Sequence, residues 1–300
     1  MKIFAPDYYK NFKCLMGECK HSCCIGWEID IDEDTAGYYK TVEGEFGKRL
    51  CANIDFGEEC ACFHLDEHER CPFLNKDGLC DIILNIGEDS LCQICDDHPR
   101  FRRFYDSRTE IGLGLCCEAA AKLILEKAEK TEITEIDEDG EPFYASFEET
   151  EFFEKRNKIF ALLQNRKKSI EKRIGDVFSF LGADAPEFDF AEWADFFLGL
   201  ERLDESWTGI LESIKKSPSV PEIKDENAAE QLLCYFVFRH FSKEYELASF
   251  MFCVLGFYIT EKAAESVGIL EAARLFSSEI EYSDENENLI LDKIFEEVSL

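Results

Sequence analysis

Basic residues are scarce in this chain: 33 Lys and Arg stand against 64 Asp and Glu, a formal charge of −31. A surface this acidic repels phosphate, which argues against nucleic acid and anionic membrane as partners. It either serves solubility alone or attracts a basic, lysine-bearing protein surface. Long apolar runs are missing too. The longest, Leu247 to Ile259, falls well short of the roughly 20 residues a membrane span needs, and reads as a core helix. Met1 to Asp7 are followed closely by Lys10 and Lys13, with no uninterrupted apolar stretch behind them, so no secretory signal is expected. The expected compartment is the cytosol, where thiols stay reduced. There is no repeat of fixed period and no low-complexity tract. Gly112-Leu113-Gly114 lacks a third glycine and a convincing preceding strand, and no Rossmann-type alternation of strands and helices is visible.

Cysteine, by contrast, is abundant. There are 15, crowded between Cys14 and Cys117, with only Cys234 and Cys253 beyond. A reducing compartment and an odd total both speak against a disulfide framework. Soft thiolates select zinc, copper(I) or iron–sulfur clusters, so this density reads as a metal site. The groups are Cys14-x4-Cys19-x3-Cys23-Cys24, then Cys71 to Cys80 around Asn75 and Gly78, then Cys92-x2-Cys95 running into Asp96-Asp97-His98-Pro99-Arg100, then the pair Cys116-Cys117. Short glycine-bearing loops let several sulfurs converge on one ion or cluster. The last pair precedes Glu118 to Glu126, an expected helix, whose dipole favours the thiolate. These spacings match neither the paired cysteines of ordinary zinc fingers nor C-x3-C-x2-C, since the third position after Cys19 and Cys23 would be Gly26. Cys234 and Cys253 sit in apolar helical surroundings and read as packing residues. His64 and His68 read as an exposed polar turn and His240 as a satisfied core histidine, while His21, between cysteines, is a possible alternative ligand.

At these residues the sequence resembles the flagellin lysine-N-methylase family, within the YkgJ-like cysteine-cluster group. The resemblance rests on Tyr9 to Cys14, Cys19 to Cys24 with Gly26-Trp27-Glu28-Ile29, Cys71-Pro72-Phe73-Leu74, Gly78-Leu79-Cys80-Asp81-Ile82, Cys95 with Pro99-Arg100, and Leu115-Cys116 with Glu118-Ala119-Ala120. It implies methyl transfer from S-adenosylmethionine to lysine amines of flagellin, with a 4Fe-4S cluster on the cysteines. Carried over by position, the metal ligands would be Cys14, Cys19, Cys23, Cys24, Cys71, Cys80, Cys95 and Cys116. Cys51, Cys60, Cys62 and Cys92 fall outside the pattern. Two positions depart from it: His98 stands where the family has Tyr, and Cys117 where it has Pro. His98 could be a base or a non-sulfur metal ligand. Arg100 could grip a carboxylate of the substrate or of S-adenosylmethionine. Alternatively, Arg100 pairs with Asp96 or Asp97 and His98 is a surface residue. From the residues alone, a zinc-binding or iron-chelating structural module, whose helical half binds a protein partner, is the competing expectation.

The expected fold is mainly α. An irregular cysteine-rich metal-binding domain (1–130) with one short strand at Gly26 to Asp32 leads through an acidic linker or hairpin (131–151), with an edge strand at 132–136, into an all-α domain (152–300). Apolar spacing near 3.6 from Phe152 to Phe178 begins that domain. Further helices are expected at 190–202, 204–216, 226–242, 246–266, 269–280 and 286–298, with Asp189 and Asp225 as N-caps.

Overall fold

The computed structural model describes residues 1–57, 60–138 and 144–298. The chain is mainly α, with thirteen α-helices and seven short strands among those residues. It divides into two compact units, Lys13–Phe101 and a larger one formed by Met1–Phe12 with Arg102–Leu300.

The larger unit begins with a strand that composition does not reveal. Lys2–Pro6 runs parallel to Arg108–Leu113 and antiparallel to Ile133–Glu138, and Arg100–Phe104 completes a four-stranded sheet. A parallel pair cannot be closed by a hairpin. The connection from Lys2–Pro6 to the Arg100–Leu113 strands therefore contains the whole cysteine-rich unit. This pairing is why the unit boundary falls at residue 101 and not near 130. Gly112-Leu113-Gly114, for which no convincing preceding strand was expected, begins at the end of the strand Arg108–Leu113. Residues 139–143, the middle of the acidic stretch, lie outside the described residues. The part before them is the strand Ile133–Glu138, and the part after enters the helix Phe147–Leu163 through its Ser146 cap.

From Phe147 onward the described residues form helices and loops only, close to the expected positions. Asp189 and Asp225 accept amides at the starts of Phe190–Gly199 and Glu226–His240, as expected of N-caps. Glu246–Val267 runs on past Ile259 to 22 residues, which makes it long and apolar enough to cross a membrane by length and composition; most of that window is buried inside the unit. Phe236, Phe238, Trp193 and Trp207 fill the core there. Some of the charges that enter it are paired. Glu110 accepts Arg156 Nη1 at 2.7 Å and is bonded by Arg108, while Glu230 accepts Arg173 Nη1 at 2.8 Å. An unpaired charge would be costly at that depth. Cys234 and Cys253 are packing residues, 1% and 0% exposed.

The smaller unit is built from short pieces. Asp30–Ile31, Ala61–Phe63 and Ile54–Phe56 form a three-stranded sheet, so the strand expected over Gly26 to Asp32 is confined to Asp30–Ile31. Glu33–Tyr39, Gly44–Ala52, Asp81–Ile86 and Gln93–Asp97 are its helices. Ile29, Tyr39, Leu50, Phe63, Phe73 and Ile82 form the core. Cys71 and Cys92 are part of that core, and Cys24, Cys80 and Cys95 pack against it.

Candidate metal centre

Two cysteine-bearing segments of the smaller unit meet through their backbones, and a side-chain contact fixes a third. The Cys71 amide donates to the Cys24 carbonyl at 2.8 Å, and the Gly26 amide to Glu69 at 3.1 Å. Gly17, inside the Cys14-x4-Cys19 loop, lies against the Asp77-Gly78 turn so closely that a Cβ there would meet the Asp77 carbonyl at 2.6 Å. Only glycine admits this approach. The Cys71–Cys80 loop is held by polar contacts: Asn75 Oδ1 accepts the Asp77 and Leu79 amides, Arg49 bonds Asp81 at 2.6 Å and the Pro72 carbonyl at 2.7 Å, and Arg70 bonds the Leu74 and Asn75 carbonyls. Asp32 accepts the Gln93 amide at 2.8 Å, fixing the helix that carries Cys95.

Within this frame the sulfurs of Cys24, Cys71, Cys80, Cys92 and Cys95 influence one another. The Cys23 thiol bonds Cys24 and draws it down to about 7. The Cys95 thiol donates to Cys92, lowering Cys92 and raising its own pKa. Burial pushes Cys71 up to about 12 and raises Cys80, and the charge of a neighbouring sulfur adds to the rise in each. Backbone amides work the other way: those of Phe73 and Leu74 bond Cys71, those of Ile82 and Ile83 bond Cys80, and that of Cys95 bonds Cys92. Amides aimed at sulfur stabilise a thiolate, the form that binds metal. Cys80 and Cys92 each occupy a helix N-cap.

The expected ligands therefore fall into three groups. Cys24, Cys71, Cys80 and Cys95 share one apolar cluster. Cys14, Cys19 and Cys23 sit on the adjoining loop, with Cys14 and Cys23 exposed and the Met16 amide donating to Cys14 at 3.3 Å. Cys116 belongs to the larger unit, where burial pushes it up to about 12 and Tyr282 hydrogen-bonds it. Cys92 lies outside the family pattern yet stands among the clustered sulfurs; its C-x2-C spacing to Cys95 was the signal. Cys60 and Cys62 have raised pKa values, burial first and nearby carboxylates second, Asp30 and Glu28 among them.

His98 is partly buried, with its ring 6.5 Å from that of Trp27 and nearly parallel to it. Burial, then the charge of Arg100, bring its pKa down to about 4, so the imidazole is neutral near pH 7. Arg100 Nη1 donates to the Asp96 carbonyl at 2.8 Å across the cis His98-Pro99 bond. His21, His64 and His68 are exposed. A groove of about 320 Å³ beside Gln93 and Ile94 is lined by Asp30, Asp32, Asp97 and Cys60.

Among the described residues no group of three or more His, Cys, Asp or Glu side chains is arranged to hold a metal ion. In kind, however, the donors fit a soft-metal centre: several thiols of one cluster, in apolar surroundings, with amides directed at their sulfurs.

Known proteins give a partial likeness. The chain is 24% identical over 142 residues to proteins named lysine-N-methylase from Salmonella choleraesuis and Salmonella typhimurium, 44% of this chain and 35% of each relative. It is 25% identical over 132 residues to the flagellar biosynthetic protein FliU of Salmonella muenchen, 41% of this chain and 76% of that protein. The matched segment thus spans about a third of the lysine-N-methylases. No family profile matches, and no solved structure matches. These relatives suggest a methyltransferase-type function, and their names agree with the resemblance read from the cysteine motifs.

Proposed function

We propose that this chain is a protein-lysine N-methyltransferase that takes its methyl group from S-adenosylmethionine, acts on flagellin in the cytoplasm, and carries an iron–sulfur cluster of the 4Fe-4S type. The observation that carries this reading is the meeting, in one apolar cluster, of Cys24, Cys71, Cys80 and Cys95 from three of the motifs by which the sequence resembles the family. The distant lysine-N-methylase and FliU relatives support it. Cys24, Cys71, Cys80, Cys92 and Cys95 would hold the metal, with Cys14, Cys19 and Cys23 on the adjoining loop. Bound there, an iron–sulfur centre would supply Lewis acidity and a coordination position for a small polar ligand.

Methylation needs a neutral lysine amine, whose reference pKa is about 10.4. His98, at about 4, lies roughly six units below that, so as a base it would leave a deficit of about 8 kcal/mol. Its neutral ring suits a different role, either accepting a hydrogen bond that orients the amine or ligating metal through nitrogen. Arg100 shapes the turn on which His98 sits and offers a guanidinium for a carboxylate. The acidic groove beside Gln93 has the charge to attract a lysine-bearing surface.

The test is anaerobic purification, analysis of iron, acid-labile sulfide and zinc, and incubation with S-adenosylmethionine and flagellin followed by mass measurement of lysine peptides. A brown protein absorbing near roughly 400 nm and adding methyl increments is expected. Stoichiometric zinc without sulfide or methylation would favour the second reading, a zinc-binding interaction module, which the same soft thiol set also suits.

A further inference from the structure

The larger unit holds a polar cavity that the cysteine motifs do not explain. Helix Glu226–His240 ends beside the single π turn Ser277–Glu281 and the start of helix Asp284–Val298. Such turns often mark functional sites, and this one leaves Glu281 buried. Its carboxylate is fully engaged: Tyr235 Oη donates to Oε2 at 2.7 Å, and His240 Nε2 lies 2.6 Å from Oε1. Burial works against the anion, yet Arg239 and His240 hold Glu281 down to about 2. The other ring nitrogen of His240 lies 3.3 Å from Glu287 Oε1.

Beside this network lies a cavity of about 200 Å³, bordered by Arg103, Arg239, His240, Tyr245 and Glu287, with Phe252 and Leu291 as its apolar wall. Arg103 spends Nη1 on the Phe238 and Phe241 carbonyls, at 3.2 and 2.9 Å. Its Nε and second amino group have no hydrogen-bond partner among the described residues, and neither does Glu287 Oε2. A guanidinium and a carboxyl group, each with unused bonding capacity, therefore face one small space with an apolar side.

We propose that this cavity binds an α-amino acid zwitterion, its carboxylate on the free edge of Arg103, its ammonium on Glu287 and its side chain along Phe252 and Leu291. A lone anion would use only the free edge of Arg103 and a lone cation only the free oxygen of Glu287; a zwitterion uses both. The volume sets the size. Sites for whole drug-sized molecules occupy roughly 300–1,000 Å³, so this one takes a small amino acid entire or only the aminocarboxyl end of something larger. Two sources share that chemistry, free methionine-like amino acids and S-adenosylmethionine. The second would deepen the methyltransferase reading; the charges lining the cavity call for a zwitterion in either case.

Calorimetric titration of the full chain tests the proposal, with L-methionine, S-adenosylhomocysteine, L-methionine methyl ester (no carboxylate) and 4-(methylthio)butanoate (no ammonium) as probes. Binding of methionine or S-adenosylhomocysteine is expected, with both single-charge analogues at least about tenfold weaker, a loss of about 1.4 kcal/mol. Methionine alone assigns the free amino acid; S-adenosylhomocysteine assigns the larger source. Glu287→Gln should weaken whichever binds about tenfold or more while the melting temperature holds. The proposal is overturned if neither amino acid binds at millimolar concentration, if the methyl ester binds equally well, or if Glu287→Gln changes nothing. Methylation of flagellin is scored separately, so a chain that methylates without filling this cavity sinks only this proposal.

Discussion

Asp32 Oδ2 accepts the Gln93 amide at 2.8 Å while its Oδ1 accepts the Thr35 amide at 3.0 Å. One carboxylate thus caps Glu33–Tyr39 and anchors Gln93–Asp97, the helix with Cys92 at its N-cap and Cys95 in its first turn. Replacing a capping Asp by Ala costs about 1–2 kcal/mol. Asp32→Ala should lose that much or more in urea unfolding, and should lower bound metal, because the Cys92–Cys95 turn loses its anchor. Burial raises the Asp32 pKa and the Gln93 and Thr35 amides more than reverse this, leaving it lowered. Its stabilisation is therefore present above the ordinary carboxylate value and lost as pH falls through the lower folded value. Unchanged metal content in the variant would refute the anchoring role.

The cysteines should separate by location. Cys24→Ser, Cys71→Ser, Cys80→Ser, Cys92→Ser and Cys95→Ser are expected to lose most bound iron or zinc, each removing a donor from one cluster. Cys234→Ser and Cys253→Ser remove buried thiols of the helical core and should change the melting temperature but not the metal stoichiometry. A chelator should lower the melting temperature of the parent protein strongly, since structural metal sites contribute many kcal/mol to folding. Full metal occupancy in Cys92→Ser would remove that residue from the ligand set.

The helical half was legible because period and caps agree: 226–242 and 246–266 read as helices from apolar spacing, and Asp189 and Asp225 announce their own amides. Buried charge was not. Glu230, Arg173 and Glu281 look like solvated positions on a periodic face, and only the folded partners show them to be paired inside. The strand Lys2–Pro6 was equally hidden, since its parallel partner lies a hundred residues away. Three of the cysteine groups named by motif lie in the smaller unit, whereas Cys116, carried over by position from the family pattern, lies in the larger one.

Glu110 lies between two guanidinium groups, 0% exposed. Burial would raise its pKa, and Arg156 and Arg108 outweigh that, leaving it lowered. Glu110→Gln leaves two arginines without their counter-charge in the core, a loss of about 3–5 kcal/mol. Urea unfolding at neutral pH should show it. The difference between parent and variant should shrink as pH falls from the ordinary carboxylate value through the lowered folded value, where the parent's carboxyl protonates too. A difference under about 1 kcal/mol, the scale of an exposed pair, would show the triad to be solvated.

His98 gives a pH dependence of the same sign over a higher interval. Its folded value of about 4 lies below the unfolded value of 6.5, so the unfolded chain takes up a proton first as pH drops. Its neutral state contributes fully above 6.5, and that contribution is lost progressively between 6.5 and 4. Thermal unfolding of the parent and of His98→Gln at pH 7, 5.5 and 4.5 isolates this contribution, since the other titrating groups are common to both. The parent should lose stability more steeply than the variant over that interval. Equal slopes would mean that the imidazole is solvated enough to protonate normally, and its role as a neutral hydrogen-bond acceptor beside Trp27 would go with it.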